Sequence, residues 1–224
     1  MKSHHARASA CGMALTFPLL AMGCSADPPE RDDSPKGWAV CNDLFGSENI
    51  DSLVAAMGKG TARIENRLVT VGELADALVA GARHWKPGSD AHLGSSFAPC
   101  EIAVPENGAR FTSEVRWSPS SLAEIASGED SITWRQAGNG MFSSEDGGTG
   151  LLKLTLSCDV PGAHGGQESG IPLEITVHLT KAPEADSSLR GKMVSSFAKK
   201  LTQELPCGNR PNIPDNIPDE VPRR

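Results

Sequence analysis

The sequence predicts an α+β fold in which helices pack on one face of a mostly antiparallel sheet. Two stretches, residues 152–160 and 171–180, alternate between apolar and polar side chains, which is the pattern of long half-buried strands. Helical patterns precede these strands, and another apolar helical stripe follows them. Four cysteines are spread through the same part of the chain, and their even number indicates two disulfides that brace the domain.

The chain begins with a leader typical of secretion. Lys2 and Arg7 give the first residues a positive charge without any acid, and residues 11–22 form an apolar segment. A span of the bilayer needs about 20 apolar residues, so this segment is too short to be one. We therefore expect a signal peptide over residues 1–23.

The leader ends in the run Leu-Leu-Ala-Met-Gly-Cys at residues 19–24, which resembles the lipobox of bacterial lipoproteins. This resemblance implies that the thiol of Cys24 is lipidated and that Cys24 becomes the new N-terminus. A diacylglyceryl group carries two acyl chains, each contributing about 0.8 kcal/mol per buried methylene, which suffices for a stable anchor. Cleavage to a free, unanchored protein is the alternative.

Three further segments follow the leader. Residues 24–37 are acidic and proline-rich and cannot bury apolar area, so we expect a tether. Residues 38–207 are long enough for one disulfide-stabilised domain with a real core. Residues 208–224 repeat the sequence Asn-Ile-Pro-Asp and are expected to be an exposed, disordered tail.

Composition excludes some partners. Without the leader the chain has 19 basic and 28 acidic side chains, which argues against binding nucleic acid and against a second, electrostatic attachment to anionic lipid. The chain has no tyrosine and only 4% aromatic residues. That scarcity disfavours a binding site built on an aromatic platform.

Helices are predicted at the start of the domain. Residues 47–58 begin at a cap, Ser47, and end at Gly58. Their apolar stripe consists of Ile50, Leu53, Val54 and Met57. Residues 61–69 fit a strand less clearly. Thr70 and Glu73 then form a capping-box pattern for a helix that ends near Trp85.

Strands dominate the middle of the domain. Residues 97–104 and 110–117 are predicted to form a hairpin, followed by a short helix starting at Pro119 and a weak strand at 131–136. The two long alternating strands come next and are joined by a glycine-rich loop. Asp186 or Ser187 then caps a helix that Pro206 terminates. Its apolar stripe consists of Leu189, Met193, Val194, Phe197 and Leu201.

The four cysteines after Cys24 allow three disulfide pairings. Cys100 and Cys158 each fall on the apolar side of a predicted strand, whereas Cys41 precedes a helix and Cys207 follows one. This local pattern favours Cys41 with Cys100 and Cys158 with Cys207, because each bond then ties a helical end to its nearest strand. Each closed loop would stabilise the fold by roughly 4 kcal/mol in the chain-entropy model.

The lipobox, the acidic tether and the Cys-x-x-Leu-Phe sequence at residues 41–45 together resemble the small surface lipoproteins of actinobacteria, of the streptomycete type, whose function is unknown. The resemblance implies a cell-membrane location on the extracellular face, with the lipid as the membrane contact. It carries over no catalytic or ligand-binding residues.

Two short motifs suggest catalysis only weakly. Ser196-Phe-Ala-Lys199 matches the Ser-x-x-Lys motif of penicillin-binding proteins, but the Lys-Thr-Gly strand motif of that family is missing. His164-Gly-Gly resembles an esterase oxyanion loop, but there is no Gly-x-Ser-x-Gly. Core packing and an ordinary hairpin loop explain these residues better.

Metal and surface sites are also weakly indicated. His84, Asp90 and His92 could surround a metal ion, but their spacing matches no known ligand motif and favours a solvated loop. The outer face of the long hairpin is polar, and we expect it to be solvated more readily than to bind a ligand. Its side chains are Lys153, Thr155, Ser157, Glu174, Thr176, His178 and Thr180.

We therefore expect a non-enzymatic, lipid-anchored surface protein, with no cofactor and no metal, that binds an envelope protein or a small ligand. The alternative is an envelope hydrolase or metal-dependent enzyme that uses surface histidines. The candidates for that chemistry are His84, His92, His164 and His178. A purely structural role in envelope assembly is a third hypothesis.

Overall fold

The computed structural model describes residues 30–65, 69–88, 95–129, 132–146, 149–182, 185 and 187–218. The helices are α1 Pro35–Phe45, α2 Ser47–Ala56, α3 Val71–His84, α4 Leu122–Ser127, α5 Gln167–Gly170 and α6 Ser187–Glu204. The strands are β1 Glu30–Arg31, β2 Thr61–Ile64, β3 Ser96–Phe97, β4 Glu101–Val104, β5 Ala109–Trp117, β6 Arg135–Gly138, β7 Met141–Asp146, β8 Leu151–Leu156 and β9 Leu173–Thr180.

The strands form one sheet in the order β1-β2-β4-β5-β9-β8-β7-β6. The short strand β3 also pairs with β5, next to β4. The β1–β2 pair is parallel and the other pairs are antiparallel. At its centre β5 and β9 pair in unbroken register from Arg110 opposite Thr180 to Trp117 opposite Leu173. The predicted α+β class with a mostly antiparallel sheet is confirmed.

Helices α1, α3 and α6 lie on the same face of this sheet. The ring of Phe45 in α1 meets Phe111 of β5 edge-on at 5.4 Å and Phe197 of α6 at 5.2 Å, measured between ring centroids. All three rings are fully buried. The alternating residues of β8 and β9 send their apolar side chains to this face, as the pattern predicted.

Both expected disulfides are present. Cys41 is bonded to Cys100 and Cys158 to Cys207, closing sequence separations of 59 and 49 residues. All four side chains are buried. Cys41 precedes the predicted helix, α2, but it lies within α1, a helix that the sequence did not predict, and its side chain turns inward from there.

The described end of the predicted tether belongs to the domain. Residues 30 and 31 extend the sheet as β1, and α1 begins at Pro35. The guanidinium of Arg31 lies 4.6 Å above the Trp38 ring, and the indole N–H of Trp38 donates to Asp32 over 2.9 Å. Backbone pairing and the buried Trp38 thus order a stretch whose composition predicted a tether. Residues 24–29, including Cys24, lie outside the described residues.

Most side chains of residues 209–218 are exposed, as predicted for the tail, but this segment also packs on the domain, which was not predicted. Ile213 and Ile217 are buried against the core. The hydroxyl of Ser195 in α6 donates to the carbonyl oxygen of Pro214, and Lys199 forms an ion pair with Asp215. The proline-rich segment can pack this way because the two isoleucines, four residues apart, give it apolar area to bury.

The predicted helix caps and strands agree with the structure in some places and differ from it in others. Thr70 and Glu73 form the expected capping box of α3, and an unpredicted box of Ser121 and Glu124 starts α4. Gly46 rather than Ser47 occupies the cap position of α2. Asp186 lies outside the described residues. Strand β7 was not predicted, because its sequence Met-Phe-Ser-Ser-Glu-Asp does not alternate cleanly.

Candidate ligand-binding cavity

A cavity of about 420 Å³ lies between α3, β3 and the end of β5. Its volume is within the range of roughly 300–1,000 Å³ that is usual for small-molecule sites. The side chains that line it are mostly apolar. They are Ala77, Leu78, Ala80, Gly81, His84, Trp85, Ser95, Phe97 and Trp117.

Small residues on α3 create the space. Leu74, Leu78 and Ala82 point into the core as the stripe of this amphipathic helix. Beside this stripe the helix presents the small residues Ala77, Ala80 and Gly81 to the cavity, together with His84 in its last turn. A Cβ atom at Gly81 would lie 3.3 Å from the Trp117 ring, so the glycine lets α3 approach that ring closely.

Aromatic side chains form the rest of the wall, and Trp117 and Trp85 are held by specific contacts. The indole N–H of Trp117 donates to the carbonyl oxygen of Leu78 over 2.9 Å. Trp85 follows the last turn of α3 and packs on Gly170, where a Cβ atom would come within 2.8 Å of the ring. The His164 ring meets Trp85 edge-on at 6.1 Å. The cavity walls are therefore preformed.

The loop between β8 and β9 supports this wall. The guanidinium Nε of Arg83 donates to the carbonyl oxygen of Pro161 over 3.1 Å, which ties the loop to α3. Inside the loop, the buried Gln167 accepts a hydrogen bond from the backbone N–H of Val160 and donates to Ile171. The loop that resembled an oxyanion loop therefore contacts Trp85 through the His164 ring and Gly170, although His164, Gly165 and Gly166 are exposed.

His84 brings the main polar group to the cavity. Its Nδ1 lies 2.7 Å from the carbonyl oxygen of Ala80. Because a carbonyl oxygen only accepts hydrogen bonds, this contact requires the proton on Nδ1, so Nε2 is an acceptor in the neutral imidazole. The described residues that line the cavity include no Asp, Glu, Lys or Arg.

The proposed metal site is not assembled by the described residues. Asp90 and His92 lie outside the described ranges, and within those ranges no group of three or more His, Cys, Asp or Glu side chains is placed to hold a metal ion. His164 contacts the carbonyl oxygen of Gly165 at 3.0 Å, and His178 contacts that of Thr149 at 2.8 Å. These ring contacts are structural hydrogen bonds to the backbone.

Ser196 and Lys199 have structural partners as well. The side-chain amide of Asn49 donates to the Ser196 hydroxyl over 3.1 Å, joining α2 to α6. The Lys199 ammonium pairs with Asp215, and this hydrogen bond and charge lower the pKa of the Asp215 carboxyl. In this arrangement Lys199 fastens the C-terminal segment.

The outer face of the long hairpin is not uniformly solvated, contrary to the prediction. Thr155 and Glu174 are opposite each other in register and both are buried. One oxygen of Glu174 accepts hydrogen bonds from Nη2 and Nε of Arg116 at 2.7 and 2.9 Å. The Thr155 hydroxyl is buried without a hydrogen-bond partner. Thr176, His178 and Thr180 remain partly exposed.

Sequence reasoning missed the cavity and argued against an aromatic site. Trp85, Phe97 and Trp117 come from three separate elements, and only the pairing of β3 with β5 brings the last two together. One available signal was the cluster of alanine and glycine between residues 77 and 81, because small residues on the flank of an apolar stripe leave room beside it.

Within the described ranges, no helix has the length and apolarity required to cross a membrane. The sequence matches no family model, and neither the curated proteins nor the solved structures include a significant match to it.

Proposed function

We propose that this chain is an exported, lipid-anchored surface protein that binds a small, mostly apolar ligand in the cavity beside α3. The observation that carries the binding role is the cavity itself. It combines a volume of about 420 Å³ with three aromatic walls and a single histidine acceptor. Apolar walls supply affinity, and the few polar atoms orient the ligand.

The proposed location at the cell surface is inferred from the leader, and the two disulfides support it. Disulfides form and persist mainly in oxidising compartments outside the cytoplasm. The bonds Cys41–Cys100 and Cys158–Cys207 each join a helical segment to the sheet region, so the fold is suited to export. Lipidation of Cys24 would then hold the domain at the extracellular face of the membrane.

The contacts of the candidate catalytic residues favour a binding role over catalysis. His84, His164 and His178 contact backbone carbonyls, and Lys199 contacts Asp215. A nucleophile needs a base within hydrogen-bond reach, and the described contacts of Ser196 go to Asn49 instead. The hydrolase alternative predicts a turnover that is lost when these histidines are replaced by alanine.

The binding role can be tested with the neutral fluorescent dye N-phenylnaphthylamine. The half-buried Ala77 faces the cavity, so Ala77→Phe should fill it and abolish dye binding. Ala55→Phe is the matched control, because Ala55 is an exposed residue of α2. Dye fluorescence should rise with the wild-type protein and the control but not with Ala77→Phe. Equal binding by all three proteins would contradict the proposal.

The anchor has its own test. Cells fed an alkyne-labelled fatty acid should incorporate label into the wild-type protein, which should partition into the detergent phase. The Cys24→Ala variant should lose the label and move to the aqueous phase. Cys11→Ala is the control and should retain both properties. Unlabelled wild-type protein would favour cleavage to a free form.

A further inference from the structure

The cavity has an uneven polar lining, and this restricts the ligand. The indole N–H of Trp117 is already bonded to Leu78, so this donor is not available. The Nδ1–H of His84 is likewise bonded, to Ala80. An indole nitrogen offers no lone pair for hydrogen bonding, so Nε2 of His84 is the ring nitrogen that can accept a hydrogen bond. The hydroxyl of Ser95 is the other side-chain polar group.

We infer that the cavity selects uncharged aromatic ligands that carry an N–H or O–H donor, which His84 accepts through Nε2. This inference rests on the proposed binding function and adds its specificity. Trp85, Phe97 and Trp117 provide aromatic surfaces for edge or offset ring contacts. A charged ligand would lose part of its hydration without meeting an opposite charge from Asp, Glu, Lys or Arg, none of which is among the described lining residues.

The size of the cavity agrees with a ligand of one or two fused rings with substituents. A volume of 420 Å³ corresponds to about 14 water molecules at roughly 30 Å³ each. Displacing this water from aromatic walls favours binding of an apolar ring. A ligand without a donor gains the same apolar contacts but forms no hydrogen bond with the solvent-exposed His84 ring, so it should bind more weakly.

Two probes of nearly equal shape test the inference. Indole carries an N–H donor, and benzothiophene has a sulfur atom in its place. Each of the four tryptophan side chains carries an indole N–H that can be followed in nitrogen–proton NMR spectra. Trp85 and Trp117 report on the cavity, while Trp38, which donates to Asp32, is an internal control. Signals are assigned with single Trp→Phe variants.

The wild-type protein should bind indole about five-fold more tightly than benzothiophene, the value of one ordinary hydrogen bond. His84→Leu should bind the two probes nearly equally, because it keeps apolar area and removes the Nε2 acceptor, leaving only the exposed Ser95 hydroxyl as a side-chain acceptor among the described lining residues. His178→Leu is the matched control, since His178 lies on the outer face of β9, and it should retain the preference.

The outcomes separate the two proposals. If both probes move the Trp85 and Trp117 signals but bind equally to the wild-type protein, the donor preference is wrong and the binding cavity stands. A preference that persists in His84→Leu also overturns the role of His84. If neither probe moves these signals, the cavity does not bind such ligands and the proposed function fails with it.

Discussion

The backbone N–H of Ile217 donates to the carbonyl oxygen of Gly191 over 3.3 Å, which fastens the C-terminal segment to α6. The contact depends on the absence of a side chain at Gly191, because a Cβ atom there would lie 2.1 Å from the carbonyl oxygen of Ile217. Ile217 itself is fully buried. The C-terminal segment is therefore part of the folded domain.

Replacing Gly191 with alanine should destabilise the protein by about 1–3 kcal/mol, because helix and C-terminal segment would have to move apart. Most helical glycines behave oppositely, since alanine reduces the entropy of the unfolded chain. Gly72 in α3 is the matched control, because a Cβ atom there would meet nothing within 4 Å. Gly72→Ala should stabilise by about 0.4–1 kcal/mol. Urea denaturation measures both, and a stabilising Gly191→Ala would contradict this packing.

Truncating Ile217 to alanine should cost about 2–5 kcal/mol, the usual range for a buried isoleucine. The same substitution of an exposed residue in a disordered tail would change the free energy of unfolding by less than about 0.5 kcal/mol. Asn212 is exposed in the same segment, and Asn212→Ala should be nearly neutral. Thermal and chemical denaturation distinguish the two cases, and equal effects of both substitutions would show that the segment does not pack on α6.

The ion pair of Lys199 with Asp215 should be detectable as a pH effect. The hydrogen bond and positive charge of Lys199 lower the pKa of Asp215 from its ordinary value of 3.8. The pair therefore stabilises the folded state above that value, and its contribution is lost as the pH falls through the lowered pKa.

Lys199→Gln should raise the pKa of Asp215 toward 3.8, as measured by NMR titration of its carboxyl group. The stability difference from the wild-type protein should be present at neutral pH and vanish in strong acid. Lys192→Gln, an exposed position on the same helix, is the control and should leave the pKa of Asp215 unchanged. An unchanged pKa in Lys199→Gln would refute the ion pair.

Replacing both Cys41 and Cys100 with alanine should lower the free energy of unfolding by about 4 kcal/mol. The reason is that the bond closes a separation of 59 residues in the unfolded chain. The second pair, Cys158 with Cys207, closes 49 residues and should cost a similar amount. Denaturation midpoints with and without reductant measure these effects. Non-reduced peptide mapping that links Cys41 to Cys207 would contradict the observed pairing.

The parts of the fold that sequence predicts are those with strong local patterns. The alternation at residues 152–160 and 171–180 identified β8 and β9, and the same parity placed Cys158 on the buried face. The capping box at Thr70 located the start of α3 to the residue. Each of these elements buries mainly one face, so the spacing of its apolar residues is sufficient to predict the type of element.

The remaining features depend on contacts that local patterns do not encode. Strand β7 exists because six of its residues pair with β8, although its own sequence has no clean alternation. The proline repeat was expected to be exposed, yet burial of Ile213 and Ile217 outweighs the polar composition around them. The aromatic cavity combines residues 85, 97 and 117, whose meeting is decided by sheet topology.

The most direct test of the binding cavity is mass spectrometry of the small molecules that remain bound to the protein when it is isolated from a bacterial envelope. The wild-type protein and Ala55→Phe should carry the same neutral aromatic compound, and Ala77→Phe should lack it because the new ring fills the cavity. If all three proteins carry the same compounds in the same amounts, or none carries any, the cavity beside α3 is not the site of a bound ligand.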